Sequence, residues 1–459
     1  MSLFHSDLGC DKIREIINRE NAHVHLVGIL GAGMLPLAGL LVKMGVRVSG
    51  RDRNEGNIGT VLPCGASIAP ITEENIPSLL VYSLAIPRDD AELVLAEQMG
   101  IPKVSRAELL GALMLDSRRR VGISGAHGKS TVTALTDILL SRCGIPHTTV
   151  SGAPLATGES LSVSGIDTFV YEACEYKDSF LRTLPTVAVI TNIELDHVDY
   201  FKDEEAVYTS FERFAASASE LVIVGECEYS PRLATAFPNK VYVYGESCKC
   251  DFWYDDVTFG DAGEDFSLYF RGELLGRFHL SLQGEHNVKN AMAALSYAFL
   301  SGIPLDVAGD AIKDFRGAGR RLELLGYIGG RPIYYDYAHH PTEIKCTART
   351  LNRLHGSAGC IFRPHTYTRT AALFEEFVES LSLFESSVLI DIYPAREDPI
   401  DGITSWALAS SIGSKAVYSS FSRALECALS KDVGATVLMG AGEVDEIYKE
   451  IMGKIEKSK

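Results

Sequence analysis

The sequence predicts an α/β protein of three domains: a Rossmann-like N-terminal domain, a central P-loop ATPase-type domain on a parallel sheet, and a Rossmann-like C-terminal domain. Three observations carry that expectation. Two glycine-rich turns, one in Gly28–Met34 and one in Gly122–Lys129, each lie between a short apolar run and a helix-like stretch. A parallel sheet presents backbone N–H groups to an anion in this way. Apolar, β-rich runs of four or five residues recur between helical stretches, as strands buried on both faces do. The chain has 459 residues, and at about 150 per domain that gives two or three cores.

The first domain, residues 1–118, opens on a short amphipathic helix within residues 1–20. A strand at Val24–Val27 runs into Gly28-Ile-Leu-Gly31-Ala32-Gly33-Met34; a helix over Pro36–Met44 and a strand over Val46–Ser49, ending near Asp52, follow. An acidic residue about 20 positions after the turn suits a dinucleotide site. Counting from Gly31, however, Pro36 occupies the third glycine position of G-x-G-x-x-G. An NAD site, a structural turn and a site for a nucleotide-linked substrate therefore compete, with Gly31, Ala32, Gly33, Met34 and Asp52 as the candidate contacts. Strand-like runs at Leu79–Ser83 and around Val104 complete this unit.

The second domain, residues 119–320, begins at VGISGAHGKSTVT. Gly125 and Gly128 let the backbone curl so that consecutive N–H groups converge, and the helix that follows adds its positive end. Lys129 is placed to reach the β- and γ-phosphates, and Ser130 offers a hydroxyl to Mg²⁺. Gly125, Ala126, His127, Gly128, Lys129, Ser130 and Thr131 are the candidate ATP contacts. The usual first glycine is replaced by Ile123. Strands at Thr168–Tyr171, Val187–Thr191 and Leu221–Val224 build a buried parallel sheet; the short alternating strands between Val241 and Leu282 suggest an antiparallel appendage, and a helix follows over Val288–Ser301. Glu172 and His197 lie at or just past strand ends beside the phosphate loop, where a carboxylate and an imidazole can hold Mg²⁺ or Mn²⁺ together with Ser130. Glu194, Asp196 and Asp199 read equally well as solvated loop charges.

The third domain, residues 321–459, follows Arg320-Arg321, a guanidinium pair that reaches a γ-phosphate only if this domain closes on the second. Strands are expected at Pro332–Tyr335, Gly359–Phe362, Ser387–Ile392, Ala416–Tyr418 and Thr436–Met439. Asp336 ends the first of them and suits ribose hydroxyls. His339 and His340 are adjacent, so they do not ligate one ion at i, i+4 spacing. Arg369 suits a carboxylate.

The net charge of −17 disfavours nucleic acid and anionic membrane surfaces as partners. The first dozen residues lack the basic and apolar regions of a signal peptide. No apolar run reaches the ~18 residues of a spanning helix, so no membrane insertion is expected. Ten cysteines are scattered, and the closest pair, Cys248 and Cys250, has no second pair at zinc spacing. This is the pattern of reduced thiols in a cytoplasmic protein.

Eight segments in order, GILGAGM, GAHGKST, EACEYKDSF, TNIELDHVDYF, GEHNVKNAMAAL, GRRLELLG, YDYAHHPTEI and PHTYTRT, give the whole chain a resemblance to the Mur ligases of peptidoglycan synthesis. The resemblance implies an ATP-dependent amide ligase that joins L-alanine to the carboxylate of UDP-N-acetylmuramate through an acyl phosphate, as a monomer or homodimer. The first domain would bind the UDP end, the second ATP, and the third would complete the ATP and amino acid sites. Lys129, Glu172, His197, Arg321 and His339 would be catalytic, with Ser130, Glu172 and His197 on the metal. Asn287 and Asn290 match the HNxxN asparagines, Arg321 the arginine brought in by closure, Asp336 the ribose aspartate, and His339 and Arg369 the motifs facing the amino acid. Leu30 replaces a glycine of the first motif, Ala126 and Ser130 replace threonines of the loop, and Thr366 replaces the first Arg of P-H-R-Y-[ST]-R-T. Some sister ligases carry a carbamylated lysine shortly after the metal histidine; residues 203–214 contain none, though Glu212 lies there. A ligase recycling murein tripeptide onto the same sugar nucleotide, and a catalytically silent UDP-sugar-binding paralogue, are the alternatives.

Overall fold

The computed structural model describes residues 8–52, 62–260, 262–441 and 444–457. Three sheets follow one another along the chain. The first contains β1 (His23–Val27), β2 (Arg47–Arg51), β3 (Ala66–Ile68), β4 (Leu79–Tyr82) and β5 (Lys103–Ser105) in the order β3-β2-β1-β4-β5, all parallel. The helix Cys10–Ile17 packs Ile13, Ile16 and Ile17 into the core beneath it. It is the expected lead-in helix; residues 1–7 of that expectation lie outside the described residues.

The second sheet has ten strands: β6 (Arg119–Ser124), β7 (His147–Val150), β8 (Leu161–Val163), β9 (Thr168–Glu172), β10 (Val187–Ile190), β11 (Leu221–Gly225), β12 (Val241–Gly245), β13 (Phe252–Gly260), β14 (Gly263–Phe270) and β15 (Glu273–Leu280). Their order is β15-β14-β13-β12-β11-β10-β6-β9-β7-β8. The expected antiparallel appendage is corrected in one respect. Val241–Gly245 pairs parallel with β11 inside the main sheet, and β13 pairs parallel with β12. The meander β13-β14-β15 is thus the continuation of the sheet, not a separate unit.

Side chains alternate across β10 as a doubly covered strand requires. Ala188 and Ile190 enter the core shared with the first sheet, while Val187 and Val189 face the helices Lys129–Arg142 and Glu285–Leu300. Burying apolar surface on both faces, at roughly 25 cal/mol per Å², fixes the sheet and so the positions of its strand ends.

The third sheet contains β16 (Glu323–Ile328), β17 (Arg331–Asp336), β18 (Ala358–Phe362), β19 (Ser386–Leu389), β20 (Ala416–Tyr418) and β21 (Ala435–Met439), ordered β16-β17-β21-β18-β19-β20. Only β16 is antiparallel, and it forms the edge. Three polar bolts tie this sheet's segment to the second. Arg353 donates to the fully buried Glu264 at 2.5 Å, the Thr342 hydroxyl donates to Glu194 at 3.0 Å, and Arg369 donates to Asp196 at 2.6 Å. No helix among the described residues is long and apolar enough to cross a membrane.

Candidate active site

The C-terminal end of β6 runs into Gly125-Ala-His-Gly128, and the helix Lys129–Arg142 starts directly after it. Gly125 has φ +133° and Gly128 φ +83°, conformations that side chains with a Cβ rarely adopt. Both are also crowded: a Cβ on Gly125 would overlap the Thr191 hydroxyl, and one on Gly128 would overlap the Asn290 amide. Gly125→Ala is therefore expected to destabilise the protein by about 1–3 kcal/mol and to abolish ATP-analogue binding in calorimetry.

The loop is held from outside by Asn192, whose Oδ1 accepts from the His127 N–H and whose Nδ2 donates to the His127 carbonyl, each at 3.0 Å. Lys129 folds back over it, donating from Nζ to the Gly125 carbonyl, to the Ala126 carbonyl at 3.2 Å, and to both oxygens of Glu175 at 3.1 and 3.2 Å. Burial works against the ammonium charge, but the Glu175 carboxylate outweighs it and raises the Lys129 pKa. Ser130 and Thr131 occupy the first turn of the helix, both buried.

The carboxylate beside His197 is Glu175, which the sequence reading missed. Its Oε1 lies 3.6 Å from His197 Nε2, and Glu175, Asp196 and His197 bring three ligand atoms within 4.8 Å of one another. Glu172, at the end of β9, is held by the neighbouring loop: its Oε1 accepts from the Ser151 hydroxyl at 2.9 Å and the Gly152 N–H at 2.7 Å, and its charge reaches Arg321. His197 holds φ +53° and packs against the Tyr176 ring at 4.7 Å. Asp196 is no solvated loop charge. It is 7 % exposed, and its Oδ1 accepts from Arg369 Nε and Nη2. Burial alone would raise its pKa; the neighbouring His197 and Arg369 hold it well below the usual carboxylate range. Asp199 accepts from the Tyr176 hydroxyl at 2.7 Å, and Glu212 from that of Tyr208 at 2.8 Å.

Asn287 and Asn290 share one helix face at i, i+3 spacing, with Asn290 Nδ2 donating to Asn287 Oδ1 at 3.1 Å. Opposite them, Glu343 gathers groups from both segments. Its carboxylate accepts from Arg321 Nη1 at 3.3 Å and from the backbone N–H groups of His339 and His340 at 3.0 and 3.3 Å, and His127 Nδ1 lies 3.4 Å away. The bond from the His340 N–H belongs to the capping box of the helix Pro341–His355, with His340 as N-cap. Burial opposes the Glu343 charge, yet the imidazoles of His339 and His127 and the Arg321 guanidinium hold the group well below its ordinary pKa. Asp336 ends β17, accepting from Thr347 Oγ1 at 2.8 Å and the Ala338 N–H at 3.0 Å, and burial pushes its carboxyl up to about 6. Burial also lowers His339 to about 3.

Burial disfavours a charged His127, but Glu343 and Glu194 outweigh it and push its pKa up to about 9. With the folded value above the ordinary 6.5, the contribution of this ion pair is full below pH 6.5 and fades as pH rises through about 9. The difference in urea midpoint between the protein and His127→Gln should be largest near pH 6 and shrink above pH 9. A difference independent of pH would contradict the charged pair.

A cleft of about 1080 Å³ separates the first sheet's glycine turn from the third sheet's loops. Gly31, Ala32, Gly33, Met34 and Asp52 line one wall; His197 and Arg369 line the other. Asp52 Oδ2 accepts from the Leu30 N–H at 2.9 Å and so braces the turn. His339 is not among the described residues that line this cleft, and Arg369 spends its guanidinium on Asp196 and on His365. Both were expected to face an incoming amino acid, and of the two Arg369 lines the cleft.

Family models cover the chain in order: the Mur ligase family catalytic domain matches residues 23–118, the Mur ligase middle domain 123–298, and the Mur ligase glutamate ligase domain 320–442. A UDP-N-acetylmuramate–L-alanine ligase of Caldanaerobacter subterraneus subsp. tengcongensis is 37% identical over 82% of this chain and 84% of its own. Its namesake in Caldicellulosiruptor saccharolyticus is 36% identical over 94% and 98%. Among solved structures, the UDP-N-acetylmuramate–alanine ligase of Thermotoga maritima matches with a TM-score of 0.79 at 23% identity, over 95% of this chain and 100% of that one. A ligase from the same organism named MurF, solved in complex with ADP, matches with a TM-score of 0.62 at 16% identity over 84% and 91%. Those two likenesses bear on the fold; the family models and the relatives at 36–37% identity go further, and by them this chain belongs to the Mur ligase family.

Proposed function

We propose that the protein joins L-alanine to the carboxylate of UDP-N-acetylmuramate at the expense of ATP, releasing ADP and phosphate, in peptidoglycan precursor synthesis. The observation that carries this reading is the placement of Lys129, at the start of the phosphate-loop helix, beside Glu175 and His197, with His197 also lining the cleft that reaches the Gly31–Met34 turn. The relatives named above supply the substrates by their names.

In this reading residues 1–118 hold the UDP-sugar, residues 119–320 hold ATP, and residues 321–459 complete the ATP and amino acid sites. The three sheets and the three family-model spans support that division. A carboxylate is a poor acylating agent at neutral pH. Its oxygen attacks the γ-phosphorus of ATP, ADP leaves, and the product is an acyl phosphate. Lys129, drawn from Glu175 onto the β- and γ-phosphates, and Arg321, drawn from Glu343, offset the charge that gathers as two anions meet. Asn287 lies toward the adenine and Asp336 toward the ribose, while Asn290 packs against Gly128 of the phosphate loop. The amine of alanine then attacks the acyl carbon, and phosphate departs from the tetrahedral intermediate as the amide forms. The acyl phosphate has to be kept from water, and the bonds that hold the second and third sheets' segments together support a closed site of that kind.

Glu175, Asp196 and His197, whose ligand atoms lie within 4.8 Å of one another, form an oxygen-rich set that suits Mg²⁺ or Mn²⁺, with Ser130 and Glu172 as the further oxygen donors in this reading. When bound, the ion supplies charge neutralisation to the phosphates. The ligase reading is tested by removing one substrate at a time and following phosphate release. Dependence on ATP, UDP-N-acetylmuramate and L-alanine together is expected; ATP hydrolysis indifferent to the sugar nucleotide would refute it.

A further inference from the structure

Thr366 leaves the third sheet's motif short of one guanidinium, and Arg369 is committed to Asp196 and His365. Yet an α-amino acid brings a carboxylate that must be held while its amine reacts. The structure places another cation at this wall of the cleft. After β19 the chain returns alongside the motif: the Tyr393 N–H donates to the Pro364 carbonyl at 2.8 Å, and the Tyr393 and His365 rings stack at 5.5 Å. The turn 394–397 closes with the Glu397 N–H donating to the Pro394 carbonyl at 2.8 Å, and Ala395 takes φ +52°. Glu397 then locks the turn to the motif, accepting from the Thr366 hydroxyl, from the Thr368 hydroxyl at 2.5 Å and from the Thr368 N–H at 2.8 Å.

Thr366 thus serves as an anchor for the neighbouring turn, and the residue that this anchoring presents to the cleft is Arg396, exposed and lining it beside Thr366, Thr368 and Arg369. His197 and Tyr176 line the same cleft. Arg396 is also near enough to Lys177 that, with burial acting first, its charge helps to lower that ammonium's pKa. Arg106, in contrast, lies against Gly33 on the opposite wall, where the glycine turn is.

We propose that Arg396 binds the carboxylate of the incoming amino acid, in place of a guanidinium at position 366. This assignment rests on the ligase reading. It deepens that reading by naming a specificity-determining residue on the turn 394–397.

The test is steady-state kinetics on the full chain with Arg396→Ala and Arg396→Lys, using L-alanine and L-alaninamide, which lacks the carboxylate. Losing a charge-assisted contact should raise the KM for L-alanine by about 10- to 100-fold in Arg396→Ala, with the KM values for ATP and UDP-N-acetylmuramate within about twofold. Arg396→Lys, which keeps the charge, should recover part of the loss. Activity with L-alaninamide should be low in the unchanged protein and no lower in Arg396→Ala. An unchanged KM for L-alanine, a rise in the KM for UDP-N-acetylmuramate instead, or an equal loss with alanine and alaninamide would overturn the assignment. If phosphate release by the unchanged protein is indifferent to L-alanine, the ligase reading falls too; if it depends on L-alanine and Arg396→Ala leaves the KM alone, only the assignment falls.

Discussion

Lys129→Ala should reduce ATP-dependent phosphate release by roughly 10²- to 10³-fold or more, because in the proposed reaction it removes the cation that neutralises the transferring phosphoryl group. Binding of UDP-N-acetylmuramate should stay within about twofold, since the glycine turn that lines the cleft belongs to another sheet, while Lys129 bonds to its own loop and to Glu175. The variant also leaves Glu175 without the ammonium that faces it in the folded protein. Some loss of stability should therefore accompany the loss of activity, and denaturation has to be followed beside the kinetics. Calorimetric titration with the sugar nucleotide, set against phosphate release, separates the two effects. Equal loss of both would contradict the placement of the two sites on separate domains.

Asp196→Ala should cost about 3–5 kcal/mol, the usual consequence of stripping one partner from a buried ion pair. Asp196 and Arg369 are 8% and 9% exposed at their side chains, so the arginine left behind has little water to turn to. The pair joins the loop after β10 to the segment after β18. Its loss should thus loosen the third sheet's segment from the second and depress activity beyond what global stability accounts for. The pH dependence has a definite sign. The folded pKa of Asp196 lies well below its ordinary value of 3.8, so its contribution is present above that value and is lost as pH falls toward the folded pKa. Denaturation midpoints for the protein and for Asp196→Ala should converge in strong acid and separate above about pH 4. A difference under about 1 kcal/mol at pH 7 would mean that the pair behaves as a surface contact.

Much of this architecture is legible in the residues. Glycine turns flanked by apolar runs locate β1 and β6 and the helices after them, because phosphate-facing turns in parallel sheets need backbone freedom at fixed points. The runs at Val187 and Leu221 announce buried strands by having no polar face. Other features carry weaker signals. β16 is an edge strand whose ELLGYI sequence is largely exposed, so its apolar residues show no clear alternation. The stretch 241–282 alternates as a hairpin does, and nothing local says that Val241–Gly245 joins the sheet as a parallel strand.

The site divides in the same way. Lys129 and Ser130 follow from the loop pattern. Glu175 does not, because Lys177 and Asp178 adopt left-handed φ values of +52° and +56° that reverse the chain just after it. Sequence spacing cannot tell which of Glu172 and Glu175 turns toward His197. Asp196 is ordinary as a loop residue and becomes a buried anion only through Arg369, 173 positions away. Glu343 did leave a trace. It stands three residues after His340 at the start of a helix, the spacing of a capping box, although histidine is an unusual N-cap.

The central claim is that the phosphate loop and the cleft form one ligase. The most direct measurement is phosphate release from ATP with Mg²⁺ and UDP-N-acetylmuramate while only the amino acid is varied. Release that requires both the sugar nucleotide and L-alanine is the predicted result. Release with murein tripeptide but not with L-alanine, or no release with any acceptor despite binding of the sugar nucleotide, would contradict it.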